Sequence, residues 1–221
     1  MTIRRLFLRR VRSVILMVVS RLRSGTTCFI ARHFQIGIVI GKHVHFGPHS
    51  KLSATDGGTI FLDDGASVGR MTQITARGGH ITVGRDVIVG DGCVIVSLAS
   101  VEIGEGTQLA EYVVVRDQDH DVRVRPLVAA EFQVAPIAIG RGCWLGAKVT
   151  VLRGSNIGDG AVVGAHSLVR GYIPANTVAA GVPAKVVKHL PSLLEAWRTE
   201  NLSRSSPSED DRPAHEGERR A

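Results

Sequence analysis

From Gly57 onward the chain repeats itself. The stretches Gly57-Gly58-Thr59-Ile60-Phe61-Leu62, Gly78-Gly79-His80-Ile81-Thr82-Val83 and Ala99-Ser100-Val101-Glu102-Ile103 return with a period near 21 residues, and a shorter period of six runs inside each unit. Aliphatic residues fall at Leu62, Val68 and Ile74, at Val83, Val89 and Ile95, and at Ile103, Leu109 and Val115. After an interruption the series resumes at Ile139, Leu145, Val151, Ile157, Val163 and Val169; a weaker set, Ile40, Phe46 and Leu52, precedes it. The next position is usually small (Gly84, Gly90, Gly104, Ala110, Gly140, Gly146, Gly158, Gly164), and four after the aliphatic comes a small or β-branched residue such as Val87, Cys93, Thr107, Cys143, Ser155 or Ala161. Helical spacing and simple strand alternation both fail to give a strict six. Short strands joined by tight corners do, with one large and one small residue of each hexapeptide turned inward and glycine absorbing the backbone angles of the corner. Three hexapeptides make one triangular coil, and stacked coils bury a continuous aliphatic column.

Composition changes this picture little. The 221 residues are 44% apolar, enough for a core and against wholesale disorder. Net charge is +7, but residues 1–24 hold seven arginines and no acid, so residues 25–221 are formally neutral. The basic balance belongs to one short arm and does not argue for a nucleic-acid-binding body. Three cysteines without a CxxC pair exclude a disulfide framework or a cysteine zinc site. Cys93 and Cys143 fall on the inward small position and read as packing residues. The longest unbroken apolar run, residues 14–19, is too short to span a bilayer, and Ser20-Arg21-Leu22-Arg23 is a poor signal-peptidase site.

The hexapeptides from Val101 to Lys188 resemble those of the hexapeptide-repeat acyltransferases. Ile139-Gly-Arg-Gly-Cys-Trp-Leu-Gly-Ala, Ile157-Gly-Asp-Gly-Ala-Val-Val-Gly-Ala-His-Ser and Ile173-Pro-Ala-Asn-Thr-Val-Ala-Ala-Gly-Val-Pro-Ala-Lys are similar to consecutive coils of that family, nearest its galactoside, maltose and nodulation-factor O-acetyltransferase branch with the polysaccharide acetyltransferases. The resemblance implies an all-β fold, a left-handed parallel β-helix, assembled as a homotrimer with sites between subunits. The expected organisation is a basic amphipathic arm over 1–24, a β-helix catalytic domain over 25–185 with a loop inserted at 117–136, a C-terminal helix over 186–202 and a disordered tail over 203–221.

The break in the hexads carries the candidate chemistry. It begins Arg116-Asp117-Gln118-Asp119-His120-Asp121, and a loop near twenty residues inside a solenoid is often functional. The resemblance implies that His120 is the general base, since the branch carries its catalytic histidine at this place. A sugar hydroxyl is a weak nucleophile at neutral pH, and an imidazole with an ordinary pKa near ~6.5 suits removal of its proton. Asp117, Asp119, Asp121 or a backbone carbonyl could orient the ring. By the same resemblance Ala147 and Ala165 line the acetyl-CoA groove, and Arg170, Lys185 and Lys188 lie near its phosphates. Arg170-Gly171 departs from the branch's usual Thr-Lys and shifts the charge by one position. No metal is expected. Trp144 reads as a packing wall between subunits.

On the acceptor side, Gly90-Asp91-Gly92 stands where the galactoside branch has an asparagine, which argues against a simple galactoside or maltose acceptor. The leading expectation is therefore an acetyl-CoA-dependent O-acetyltransferase acting on a sugar of a cell-surface polysaccharide or its lipid-linked precursor, in the cytoplasm. An antibiotic acetyltransferase shares fold, base and cofactor. A γ-type carbonic anhydrase is disfavoured because Arg125 occupies its second histidine position, and a non-catalytic β-helix would not bind acetyl-CoA. His43, His45 and His49 read as exposed residues, and His80 and His166 carry no motif. Residues 1–24, with an apolar stripe and seven arginines, suit peripheral contact with the inner membrane face or a cap on the first coil.

Overall fold

A computed structural model describes residues 37–126 and 131–191. Among them every regular element is a strand, and all stack in parallel except the pair Gln118–His120 with Phe132–Val134 and the final strand Ala184–His189. The chain winds through three flat faces in turn. The first face has seven strands, from Ile38–Ile40 to Tyr172–Ile173; the second has eight, from His45–Phe46 to Ala184–His189; the third has six, from Lys51–Thr55 to Leu168–Val169. This is the β-helix of hexapeptide repeats that the period of six predicts, of the left-handed class.

The register between coils turns the sequence repeat into a core. On the first face Leu62, Val83, Ile103, Ile139, Ile157 and Ile173 stack directly on one another. On the second, Val68, Val89, Leu109, Leu145, Val163 and Ala179 do the same, and on the third Ile74, Ile95, Val115, Val151 and Val169. All are buried and belong to one cluster. The inward small positions are buried as well, and several are polar. Thr107 Oγ1 donates to the Gly140 carbonyl at 2.7 Å and accepts from the Cys143 N–H at 3.0 Å. Cys93 and Cys143 are free and buried, their Sγ atoms 3.1 and 3.2 Å from the carbonyls of Ala110 and Gly158. A thiol and a hydroxyl thus do the same job, satisfying a corner carbonyl of the next coil. Burial pushes the Cys93 thiol up to about 11. Cys28 lies outside the described residues.

Glycine has a different role at the corners from the one the sequence suggests. Gly84, Gly104, Gly140 and Gly146, directly after the aliphatics, do not have positive φ. A Cβ on Gly140 would sit 2.6 Å from the Asp159 backbone nitrogen, and one on Gly146 2.7 Å from that of Ala165. Close approach of the next coil is what excludes a side chain there. The left-handed conformation falls two residues later, where glycine is optional: Gly106, Gly142 and Gly160 share it with Asp86, Tyr112, Lys148, His166 and Asn176, at φ values from 51 to 67°.

The expected C-terminal helix over 186–202 is corrected in its first part. Ala184–His189 is a strand, antiparallel to Thr177–Gly181, with its remainder from residue 192 outside the described residues. Pairing covers the open edge that the last coil of the second face would otherwise present, and Val186-Val187 favours the extended form. The arm 1–24 and the tail 203–221 also lie outside the described residues.

Candidate active site

Where the hexads break, the chain leaves the corner between the third and first faces and returns to it as a small antiparallel ladder. Gln118–His120 pairs with Phe132–Val134, placing Asp119 opposite Gln133 and His120 opposite Phe132. The expected loop is thus a hairpin, with its tip, residues 127–130, outside the described residues. Its root is anchored by Asp117, a fully buried carboxylate that accepts from Ser97 Oγ at 2.7 Å and from the N–H groups of Leu98 and Ala99 at 2.8 and 2.7 Å. The Ala135 N–H returns to the Asp117 carbonyl at 3.0 Å. The preceding coil therefore holds the hairpin base through three hydrogen bonds to one carboxylate.

His120 stands exposed on this ladder, its ring centroid 4.4 Å from that of Phe132 at a 40° tilt. None of the three candidate carboxylates bonds to the imidazole. Asp117 is used by the preceding coil, Asp119 accepts from Arg153 Nε at 3.0 Å, and Asp121 pairs with Arg123, which holds its carboxyl well below the usual range. The ring contact of His120 is with Phe132. A solvent-facing imidazole with one face on an aromatic ring can still take a proton from an approaching hydroxyl.

Other expected residues occupy different edges. Ala147 and Ala165 sit on successive coils at the corner between the second and third faces, where the His166 N–H donates to the Ala147 carbonyl at 2.9 Å. At Lys42, Arg70 and Arg141 the corner N–H is taken by an aspartate of the next coil, Asp64, Asp91 and Asp159 respectively. Below Ala147 comes Ala165, and below Ala165 Gly181, neither with a side-chain acceptor; among the described residues both alanine N–H groups are free. Free N–H groups on an exposed parallel edge can bind amide carbonyls or a developing oxyanion. Lys148 and His166 directly follow these alanines and are exposed. Arg170 shares the corner column of His120's hairpin, while Lys185 and Lys188 lie exposed on the added edge strand opposite Ala180 and Val178. The structure thus groups His120 with Arg153 and Arg170, and Ala147 with Ala165, and separates the two groups by the width of the third face, about 15–20 Å at the usual rise per residue.

Asp91 is committed to Arg70, which approaches it at 2.7 Å. His43, His45 and His49 are exposed, and no cluster of metal-ligating side chains occurs among the described residues. Trp144 is 54% exposed on the second face between Gln108 and Val162. A groove of about 730 Å³ follows the remaining corner and is lined by Arg85, Glu102, Glu105, Arg141, Asn156 and Asp159; none of the expected site residues borders it.

A triangular parallel solenoid built on a period of six is the scaffold of a hexapeptide-repeat transferase. The family described as bacterial transferase hexapeptide (six repeats) matches residues 136–171. A protein of Escherichia coli K12 named for a lipopolysaccharide biosynthesis O-acetyl transferase, WbbJ, is 34% identical over 179 residues, covering 77% of this chain and 80% of that one. The chain belongs to the hexapeptide-repeat acyltransferase family. The probable acetyltransferase Rv3034c of Mycobacterium tuberculosis is 39% identical over 124 residues, 55% of this chain but only 41% of its own length. In fold, the chain matches the N-acyltransferase AntD of Bacillus cereus, solved with dTDP and coenzyme A, at a TM-score of 0.61 and 16% identity over 75% of this chain and 90% of that one.

Proposed function

We propose that this acyltransferase is an acetyl-CoA-dependent O-acetyltransferase of a sugar hydroxyl in a cell-surface polysaccharide or its lipid-linked precursor. The observation that carries the reading is His120: an exposed imidazole on a hairpin rooted by a buried carboxylate, at the one break in an otherwise regular hexad series. The likeness over most of its length to a protein named for lipopolysaccharide O-acetylation supports a glycan acceptor, and a fold relative solved with coenzyme A supports the donor.

In this mechanism His120 removes the proton of the acceptor hydroxyl as its oxygen bonds to the thioester carbonyl carbon. A free backbone N–H of the alanine edge receives the negative charge that grows on the carbonyl oxygen. The carbon–sulfur bond then breaks, and the imidazolium returns its proton to the departing thiolate, giving the O-acetyl sugar and coenzyme A. Arg170, Lys185 and Lys188 supply positive charge for the phosphates. His120 and the alanines lie on different edges of one chain, so the site would be completed in a homotrimer, with the hairpin of one subunit meeting the alanine edge of the next. Residues 1–24 would hold the enzyme at the cytoplasmic face of the inner membrane.

His120→Ala should lower kcat by about 10²–10⁴-fold with little change in acetyl-CoA affinity, measured on a panel of polysaccharide fragments and antibiotics. Near-normal turnover by the variant removes His120 from the mechanism, and turnover confined to an antibiotic replaces the glycan acceptor. Sedimentation of the active protein tests the assembly: a single-chain mass contradicts the shared site. Equal pelleting with anionic vesicles by the full chain and by a chain starting at Gly25 contradicts the role of the arm.

A further inference from the structure

Asp119 and Gln133 face one another across the hairpin ladder, one step from the His120–Phe132 pair. Both side chains are held by a single residue of the following coil. Arg153 donates from Nε to Asp119 Oδ2 at 3.0 Å and from Nη2 to Gln133 Oε1 at 2.7 Å. The fork of one guanidinium thus closes over the two strands together, and its planarity fixes their spacing in a way an ammonium would not. Arg153 is two residues past the strand Thr150–Val151, which pairs directly with Val114–Arg116, the strand that leads into the hairpin. The neighbouring Gly154 N–H donates to the Ala135 carbonyl at 3.2 Å, at the hairpin's other foot. Asp117 ties the root to the preceding coil and Arg153 ties the blade to the following one, so the element bearing His120 is gripped from both sides.

We propose that Arg153 is a positioning residue for His120, acting through the Asp119–Gln133 cross-strand pair. Its side chain is 32% exposed and that of Asp119 49%, so the ion pair contributes little to global stability. Its effect lies in where it holds the ladder. A base displaced by about an ångström loses on the order of 10²-fold in rate even when the shift originates outside the reacting atoms. This inference rests on the reading of His120 as the base.

The test uses the full chain, with coenzyme A thiol release from acetyl-CoA as the activity readout and water or a polysaccharide fragment as acceptor. Arg153→Met should lower kcat by about 10- to 100-fold and leave the KM for acetyl-CoA within about twofold. Amide hydrogen exchange should quicken at Asp121 and Ala135 while the coil amides of Val115 and Leu145 keep their protection. Arg153→Lys, which keeps the charge but not the fork, should fall between. In a His120→Ala background Arg153→Met should cost nothing further, because the two act as one unit. Unchanged kcat with unchanged hairpin exchange overturns the proposal. So does a loss that adds in full to that of His120→Ala, since Arg153 would then act on the substrate by its own contact. If His120→Ala itself proves fully active, the reading of the base fails separately; hairpin exchange in Arg153→Met then decides the clamp, quickened exchange upholding it and unchanged exchange overturning it.

Discussion

The coils and the hairpin are built on opposite economies. In the coils each inward side chain repeats the one above it, and every strand except those at the two ends of each face is bonded on both sides, so no single residue defines the shape. In the hairpin two short strands project from a corner, their large apolar residues Phe132 and Val134 are about half exposed, and position depends on a few side-chain bonds from Asp117 and Arg153. Redundancy makes the coils rigid and chemically inert. The lack of it leaves the hairpin free to carry a polar, solvent-facing imidazole. If His120 is the base as proposed, stability and activity lie in different residues, and substitutions should separate them.

The widest separation is between Leu145 and Phe132. Leu145 is fully buried in the second-face column, and Leu145→Ala should cost about 2–5 kcal/mol in urea unfolding. Phe132→Ala should move that midpoint by less than about 0.5 kcal/mol, because its ring is already near-half solvated. A comparable loss at both sites would mean that the hairpin shares the core. Next in size is the contrast between two glycines of one corner. Gly140→Ala drives a Cβ into the backbone of Asp159 and should cost about 1–3 kcal/mol through the forced shift of a coil. Gly142→Ala meets open space and suffers only from its φ of 59°, about 1–2 kcal/mol. A Gly142→Asn variant should recover part of that loss, since the same corner position two coils away on either side holds Asp86 and Asn176 in the same conformation, whereas Gly140→Asn should not. The smallest effect is a pH dependence. Burial raises the Cys93 thiol from 9.0 to about 11, so its contribution to stability is complete below about pH 9 and is lost as pH rises through 11. Unfolding midpoints measured over that window should fall more for the native chain than for Cys93→Ala, and parallel curves would mean that the thiol is not sealed.

Much of this was legible in the chain. A strict period of six with an inward pair is a local rule repeated fifteen times, and repetition turns a weak preference into a fold. The buried set, the two packing cysteines and the single break at Arg116 all follow from position within that period, and the resemblance to a known family pointed from the break to His120. The sequence was less explicit about why glycine follows each aliphatic. Spacing cannot distinguish a residue that needs a left-handed backbone from one that needs an absent Cβ, and only the 2.6 Å approach of the next coil shows the second. It also misled at the C-terminus, where residues 186–189 became an edge strand, because the demand for a pairing partner comes from the exposed edge of Thr177–Gly181 and not from the segment itself.

What the sequence by itself determined was therefore the solenoid, whose contacts join each residue to its counterpart one coil away and are written in the repeat. What only the tertiary structure decided was how the exception is held. Asp117 meets Ser97 by continuing the third-face register one residue past Val96 and Arg116, but Arg153 meets Asp119 thirty-four residues earlier, across the break, at a separation that no period announces. The coils bring these residues together because stacking sets Val96, Arg116 and the corner after Val151 on adjacent rungs, so the partners of the hairpin are chosen by geometry perpendicular to the chain.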